Sequence, residues 1–233
     1  MHTIYSAGVV WSAEVKERLF EHLPEVLLVD NCGSSEGAWY GTSIARKGDT
    51  TTSAAFIPSP GVLVLDDDDQ PMEPGTGRPG LLASMTMTKG YHKDDAKTAE
   101  NFRFINGEWY TTPGDLGILN ADGTLTLVGR GSSVINTGGE KVYPEEVDDV
   151  VKTMDDVDDC LVFGMPDEQF GQIVNAVVQL REGAQVEPED VTEWVRARLA
   201  RYKAPRRIHF VDAVPRLPNG KADYPACREI AAG

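Results

Sequence analysis

In the run SAEVKERLFEHL (residues 12–23) apolar side chains recur every four positions, at Val15, Leu19 and Leu23, which lines one face of a helix. Ser12 stands where it can cap the first turn. The next run, VLLV (residues 26–29), is continuously apolar and closes in DNCGSSEG, the pattern of a buried parallel-sheet strand that runs out into a polar loop. Open α/β sheets hold their ligands at such carboxyl ends. Between residues 50 and 130 the period shortens to two. GVLVL is followed by Pro- and Gly-rich turns and then LGILNADGTLTLVG, where Asp122-Gly123 joins two alternating segments into a hairpin. Beyond Arg130 helical and strand patterns mix. Pro144 opens the helix YPEEVDDVVKTM with Glu145 and Glu146 in its first turn, where the helix dipole favours acids. CLVFGM and VNAVVQL read as strands, and PEDVTEWVRARLARY sets Val191, Trp194, Val195 and Leu199 on one helical face. The pattern predicts two domains, residues 1–130 and 131–233, meeting in the Gly- and Ser-containing stretch 130–132. The first is the end of an α/β part with a small β subdomain, and the second is α+β.

Composition narrows the function. A chain of 233 residues, 41% hydrophobic, has enough apolar surface for one large or two modest domains. A formal charge of −15 argues against a general nucleic-acid or anionic-membrane surface. Cys32, Cys160 and Cys227 form no CxxC pair and the four histidines form no HExxH, so neither a disulfide framework nor a transition-metal site is expected, and a reducing cytoplasm fits. No basic-then-apolar leader and no apolar run of bilayer length is present, which predicts a soluble protein. The tetrad Asp66 to Asp69 reads as a solvated turn. Near the end, Lys221 follows the tight-turn dipeptide Asn219-Gly220 in PRLPNGKADY.

Four stretches in order, GSSEG, YTTPGDLG, GRGSSVINTGGEKVYPEEV and PRLPNGKADY, resemble the acyl-CoA synthetases (fatty acyl-CoA ligases) of the adenylate-forming superfamily, in the flavour of long-chain or steroid side-chain CoA ligases. The resemblance implies that residues 1–130 are the carboxyl-terminal part of the large AMP-binding domain. It makes residues 131–233 the small, mobile carboxyl-terminal domain that carries the catalytic lysine. It also implies an enzyme that joins a carboxylic acid to AMP with ATP and Mg²⁺, then passes the acyl group to coenzyme A. Residue by residue, Lys221 matches the adenylation lysine and Glu36 the Mg²⁺ carboxylate, with Gly33, Ser34 and Ser35 in the same phosphate-facing loop. Asp115 matches the carboxylate that accepts from both ribose hydroxyls, and Arg130 the arginine that approaches the ribose. Gly138, Gly139 and Glu140 match the loop that lines the pantetheine tunnel. Lys221 then bridges carboxylate and α-phosphate as charge redistributes.

The sequence departs from the family at three positions. Cys32 stands where an aromatic adenine platform is common, Pro113 replaces a threonine before Gly-Asp, and Ser132 holds the hinge position of an aspartate or lysine. The family's Ser/Thr/Gly-rich phosphate loop and most of its acyl pocket have no counterpart here, so the chain reads as a carboxyl-terminal portion that is inactive alone and prone to self-association. Arg196, Arg198, Arg201, Lys203, Arg206 and Arg207 form a basic cluster, read either as a seat for CoA phosphates or as a helix face balancing nearby acids. Two other readings are open: a fatty acyl-AMP ligase that loads a carrier protein, and a non-catalytic binding module. Retention of Glu36, Asp115 and Lys221 together weighs against the second.

Overall fold

The computed structural model describes residues 2–8, 11, 13–49, 55–86 and 88–233, and the chain divides into two compact units, 1–131 and 132–233. In the first unit β1 (His2–Ala7) connects through α1 (Ala13–His22) to β2 (Val26–Gly33), which lies parallel to it. β3 (Trp39–Ala45) and β4 (Ala55–Pro58) follow antiparallel. Then come β5 (Val62–Leu65), β6 (Gly80–Met85), α2 (Asp95–Asn101), β7 (Phe102–Ile105), β8 (Glu108–Thr111), β9 (Asp115–Leu119) and β10 (Leu125–Arg130). β4 pairs with both β3 and β10, so the α/β part and the β-rich part share one ten-stranded sheet. Its order is β1-β2-β3-β4-β10-β9-β6-β8-β7, with β5 on β6. Among the described residues of this unit only the β1–β2 pairing is parallel, and the chain crosses from one strand to the other through α1. The Asp122-Gly123 hairpin joins β9 to β10, with the Asn120 amide donating to the Thr124 carbonyl at 2.8 Å and Gly123 at φ +83°. In the acidic tetrad, Asp66 Oδ1 accepts from the Asp68 and Gln70 amides at 2.9 Å, and Asp69 pairs with Arg103 at 3.2 Å.

Helix α1 turns a different face inward from the one its pattern predicts. Phe20 and Lys16 are each 1% exposed, whereas Val15 and Leu23 are 40% and 46% exposed. Phe20 packs with Val26, Leu28 and Ala45. One turn away, the lysine stem is buried like an apolar chain, and its ammonium is drawn toward Asp30 in β2. Burial lowers the Lys16 pKa, with Asp30 opposing; burial likewise raises that of Asp30, against the Trp11 amide that donates to its Oδ2 at 3.1 Å. Leu19 remains partly buried at the margin of this cluster. The cap expected at Ser12 lies outside the described residues.

The second unit contains β11 (Ile135–Thr137), β12 (Glu140–Val142), α3 (Pro144–Lys152), β13 (Val157–Asp167), β14 (Gly171–Leu180), α4 (Pro188–Arg196), β15 (Arg207–Val211) and α5 (Tyr224–Ala232). Its sheet runs β12-β11-β14-β13, with β15 parallel to β14. Valines 147, 151, 162, 174, 191 and 195 belong to the core, together with Ile135, Val142, Met154 and Val178. Pro144 starts α3 with Glu145 and Glu146 in the first turn, as the sequence predicts. α4 ends at Arg196 instead of running on to Tyr202, and a separate 3₁₀ turn covers Arg201–Lys203. Ala204 is extended, as a residue before proline must be. The three cysteines are free and buried. Among the described residues no helix is long and apolar enough to cross a membrane.

Candidate active site

β2 ends at Gly33, and residues 34–38 reverse the chain into β3. The Ser34 amide donates to the Ala38 carbonyl at 2.9 Å and Gly37 to Ser34 at 3.2 Å. A side chain at Gly33 would run into the Ala38 carbonyl, so only glycine fits this reversal. The turn leaves Ser35 exposed and Glu36 half-buried. Tyr91 donates its hydroxyl to Glu36 Oε1 at 2.7 Å. Partial burial works to raise the Glu36 pKa, but the Tyr91 and Ser34 hydroxyls, its own amide and the Arg130 charge outweigh it, and the carboxyl sits below the usual range. The Tyr91 phenol is pushed up to about 12, by burial first and then by Glu36. Its ring is held by Phe102, edge-on at 6.0 Å, and by the Lys97 ammonium 4.1 Å above it.

Asp115 begins β9 and is almost wholly buried. The β9–β10 register sets Arg130 directly opposite it, and Arg130 Nε donates to Oδ1 at 3.1 Å. Tyr40 donates its hydroxyl to Oδ2 at 3.1 Å from the far side. Burial first, then the Asp115 charge, hold the Tyr40 phenol far above its ordinary pKa. Each carboxylate oxygen carries two lone pairs, so an Asp115 pinned in this way keeps acceptor capacity for further donors. Removing the Tyr40 hydroxyl leaves a buried charged acceptor short of one partner. Tyr40→Phe is therefore expected to destabilise the first unit by about 1.5–3 kcal/mol. Urea unfolding of the chain measures this, and a loss below roughly 0.5 kcal/mol would show that Oδ2 does not depend on that donor.

Neither Tyr40 nor Tyr91 stands out in the sequence, because their partners lie 75 and 55 residues away. Cys32 is buried in one cluster with Tyr40 and Phe56, its thiol pushed up to about 12 by burial and then by Asp115 and Asp30. It fills core space and offers no flat face to a base. Beside Pro113, the Thr112 hydroxyl oxygen is buried without a hydrogen-bond partner. Ser132 lies within a 3₁₀ turn, Gly131–Ser133.

In the second unit Lys221 is exposed at the neck of a reversal. Its carbonyl accepts from Leu217 at 2.8 Å, its amide donates to Asn219 Oδ1 at 3.1 Å, and Gly220 takes φ +80°. Asp223, two residues on, caps α5 by accepting from the Ala226 amide at 3.1 Å. Gly138 and Gly139 join β11 to β12 at φ +60° and +88°, a two-residue turn that needs positive φ at both positions. The Gly138 amide donates to the Phe170 carbonyl at 2.9 Å, which fixes this turn beside the β13–β14 reversal, and Glu140 is exposed next to it. That reversal begins at Asp167, whereas the Lys221 loop is tied through Arg216 to Asp159, eight residues back along β13. At about 3.3 Å per residue the two loops belong to opposite ends of the unit, about 26 Å apart along the strand.

Most of the basic cluster is engaged within its own unit. Arg196 pairs with Glu193 at 2.6 Å and Lys203 with Glu146 at 2.6 Å, while Arg198 lies over Trp194 at 3.3 Å and Arg206 over Phe170 at 3.9 Å. A cavity of about 510 Å³ opens among Thr192, Arg196, Arg201, Tyr202 and Arg206, with Glu189 and Glu193 also on its wall. Acids and bases thus share it. Among the described residues no three His, Cys, Asp or Glu side chains gather as a metal site.

Residues 146–221 match the AMP-binding enzyme C-terminal domain. The chain is 45% identical over 221 residues to the 3-oxocholest-4-en-26-oate–CoA ligase of Rhodococcus rhodochrous, covering 94% of this chain and 40% of that protein. It is 44% identical over 226 residues to the medium/long-chain-fatty-acid–CoA/3-oxocholest-4-en-26-oate–CoA ligase of Mycobacterium marinum, covering 96% and 41%. The chain therefore spans about two fifths of the length of these relatives. The crystal structure of ATP-bound MatB from Rhodopseudomonas palustris superposes with a TM-score of 0.81 at 27% identity, over 97% of this chain and 44% of that one. The similarity to these CoA ligases and to MatB runs through both units of the chain, and the match to the AMP-binding enzyme C-terminal domain falls within the second.

Proposed function

We propose that this chain is the carboxyl-terminal part of an ATP-dependent acyl-CoA ligase that converts a fatty or steroid side-chain carboxylic acid to acyl-AMP and then to acyl-CoA. The match to the Rhodococcus ligase along 94% of the chain carries this reading. The geometry supports it. Asp115, held by Tyr40 and Arg130, is a fixed acceptor suited to the two ribose hydroxyls of ATP, with Arg130 close to the same sugar. Gly33, Ser34 and Ser35 lead into a tight turn closed by its own amides, which leaves the Ser35 side chain exposed, where its hydroxyl suits a phosphate oxygen. Glu36, held ionised by Tyr91, fits Mg²⁺, an ion that takes one or two carboxylates and fills its shell with water and phosphate oxygens, so a three-residue protein cage is not required. When bound, Mg²⁺ neutralises triphosphate charge.

In the second unit Lys221 supplies the compact positive charge for the adenylation step. The Gly138, Gly139 and Glu140 loop, with no bulk at its first two positions, lines the path of the pantetheine arm of coenzyme A. Residues 1–130 then act as part of the large AMP-binding domain, and residues 131–233 as the small domain that presents each loop in turn. Three free, buried cysteines suit a reducing cytoplasm.

The test joins this chain to the amino-terminal part of the Rhodococcus rhodochrous relative. The chimera is expected to form acyl-CoA from 3-oxocholest-4-en-26-oate or a medium- or long-chain fatty acid when given ATP, Mg²⁺ and CoA. Acyl-AMP that accumulates with CoA and is consumed only when a carrier protein is added would replace CoA by the carrier as acceptor. No adenylate with any of these acids would overturn the reading.

A further inference from the structure

We propose that Arg216 and Asp159 form a strut that positions Lys221, so that two side chains outside the lysine's own turn set the geometry of the adenylation charge. Arg216 Nε and Nη2 donate to the two oxygens of Asp159 at 2.7 and 2.8 Å, a bidentate pair, while Nη1 donates to the Gly220 carbonyl at 3.1 Å. One planar guanidinium therefore ties β13 to the peptide that leads into Lys221. Asp159 is fixed from its other side by Lys152 at the end of α3, at 3.3 Å. The backbone of Arg216 bridges antiparallel to Ala222, and the Asp223 amide donates to the Pro215 carbonyl at 3.2 Å, closing the reversal on which the lysine stands.

The lysine thus sits between a strut on one side and the capped start of α5 on the other, while its own side chain is exposed and held by the backbone alone. The charges agree with this geometry. Burial works to raise the Asp159 pKa but the Arg216 hydrogen bonds and the Lys152 charge hold it below the usual range, and the bond to Asp159 raises that of Arg216. The functional consequence rests on the proposed role of Lys221; the strut itself does not.

The intact chain reads the strut by native-state proteolysis with a lysine-specific endoprotease. Arg216→Gln and Asp159→Asn are each expected to speed the cut after Lys221 about tenfold or more, as loss of a charge-assisted bond to a local segment does. The double variant is expected to be no faster than the faster single, because both remove one interaction. Arg216→Lys is not expected to restore protection, since one ammonium cannot hold both Asp159 oxygens and the Gly220 carbonyl. Cleavage after Lys203, held by Glu146, reports general loosening and is expected to stay constant. An unchanged rate at Lys221, or equal rises at both lysines, would overturn the strut. In the chimera the same variants are expected to lower adenylation kcat with little change in KM for ATP, leaving thioester formation from preformed acyl-AMP intact. Loosening at Lys221 with adenylation unchanged would overturn the positioning role. If Lys221→Ala also left adenylation unchanged, the error would lie in the role given to the lysine.

Discussion

Lys221→Ala in the chimeric ligase is expected to lower acyl-AMP formation by about 10²–10³-fold, roughly 2.7–4 kcal/mol of transition-state stabilisation, the scale found when one preorganised donor to a developing charge is removed. Two structural facts set this size. The lysine stands on a reversal fixed by backbone bonds, by Asn219 and by the cap of α5, so the backbone that carries its exposed side chain is placed before the reaction begins. A point charge is also the right shape for negative charge shared between an attacking carboxylate and the α-phosphate. Arginine spreads its charge over a wide fork, and Lys221→Arg is expected to recover only part of the loss. The thioester half-reaction should be nearly unaffected. Its proposed loop, Gly138 to Glu140, lies at the opposite end of the second unit, about 26 Å away along β13. The decisive measurement supplies preformed acyl-AMP and CoA to the alanine variant. Equal collapse of both half-reactions would remove Lys221 from the adenylation step and make it a general structural residue.

Features with local causes were legible in the sequence, and features with distant causes were not. Asp122-Gly123, Gly138-Gly139 and Asn219-Gly220 each specify a reversal through the φ values their own residues tolerate, and each forms one in the structure. Pro144 with Glu145 and Glu146 fixes the start of α3 in the same way. The inward face of α1 fails by the opposite logic. Periodicity ranks Val15 and Leu23 above Lys16, but Asp30, across the fold in β2, makes burial of the lysine tolerable. The candidate site divides similarly. Asp115 and Arg130 are adjacent because a readable hairpin sets them opposite each other. Tyr40, Tyr91 and the Arg216–Asp159 pair are joined only by the tertiary fold, across 75, 55 and 57 residues, and no local spacing encodes them.

The 233-residue chain by itself is expected to make no acyl-AMP and to bind ATP weakly. On the proposed function, Glu36 with Tyr91 would provide the metal carboxylate, Asp115 with Tyr40 and Arg130 the ribose acceptor, and Lys221 the charge. The Ser/Thr/Gly-rich phosphate loop that the family resemblance implies is not among these residues. Without it the triphosphate is not held in line with the attacking carboxylate, and positioning of that kind supplies much of the rate in nucleotidyl transfer. The same chain is expected to self-associate through the sheet. Tyr5 lies opposite Val29 and Val29 opposite Ile44, so Tyr5 and Ile44, 71% and 52% exposed, share one face across β1, β2 and β3. Ile57, 65% exposed, pairs with Thr42 and extends the stripe onto β4. An apolar stripe of this kind favours contact with a like surface. Sedimentation of the purified chain should show concentration-dependent oligomers, and Ile44→Lys with Ile57→Lys should return it to monomers; oligomers that survive both changes would place the contact elsewhere. For activity, the measurement is acid-dependent exchange of labelled pyrophosphate into ATP. Turnover that Lys221→Ala abolishes would show that the residues present suffice for adenylation without a separate phosphate loop.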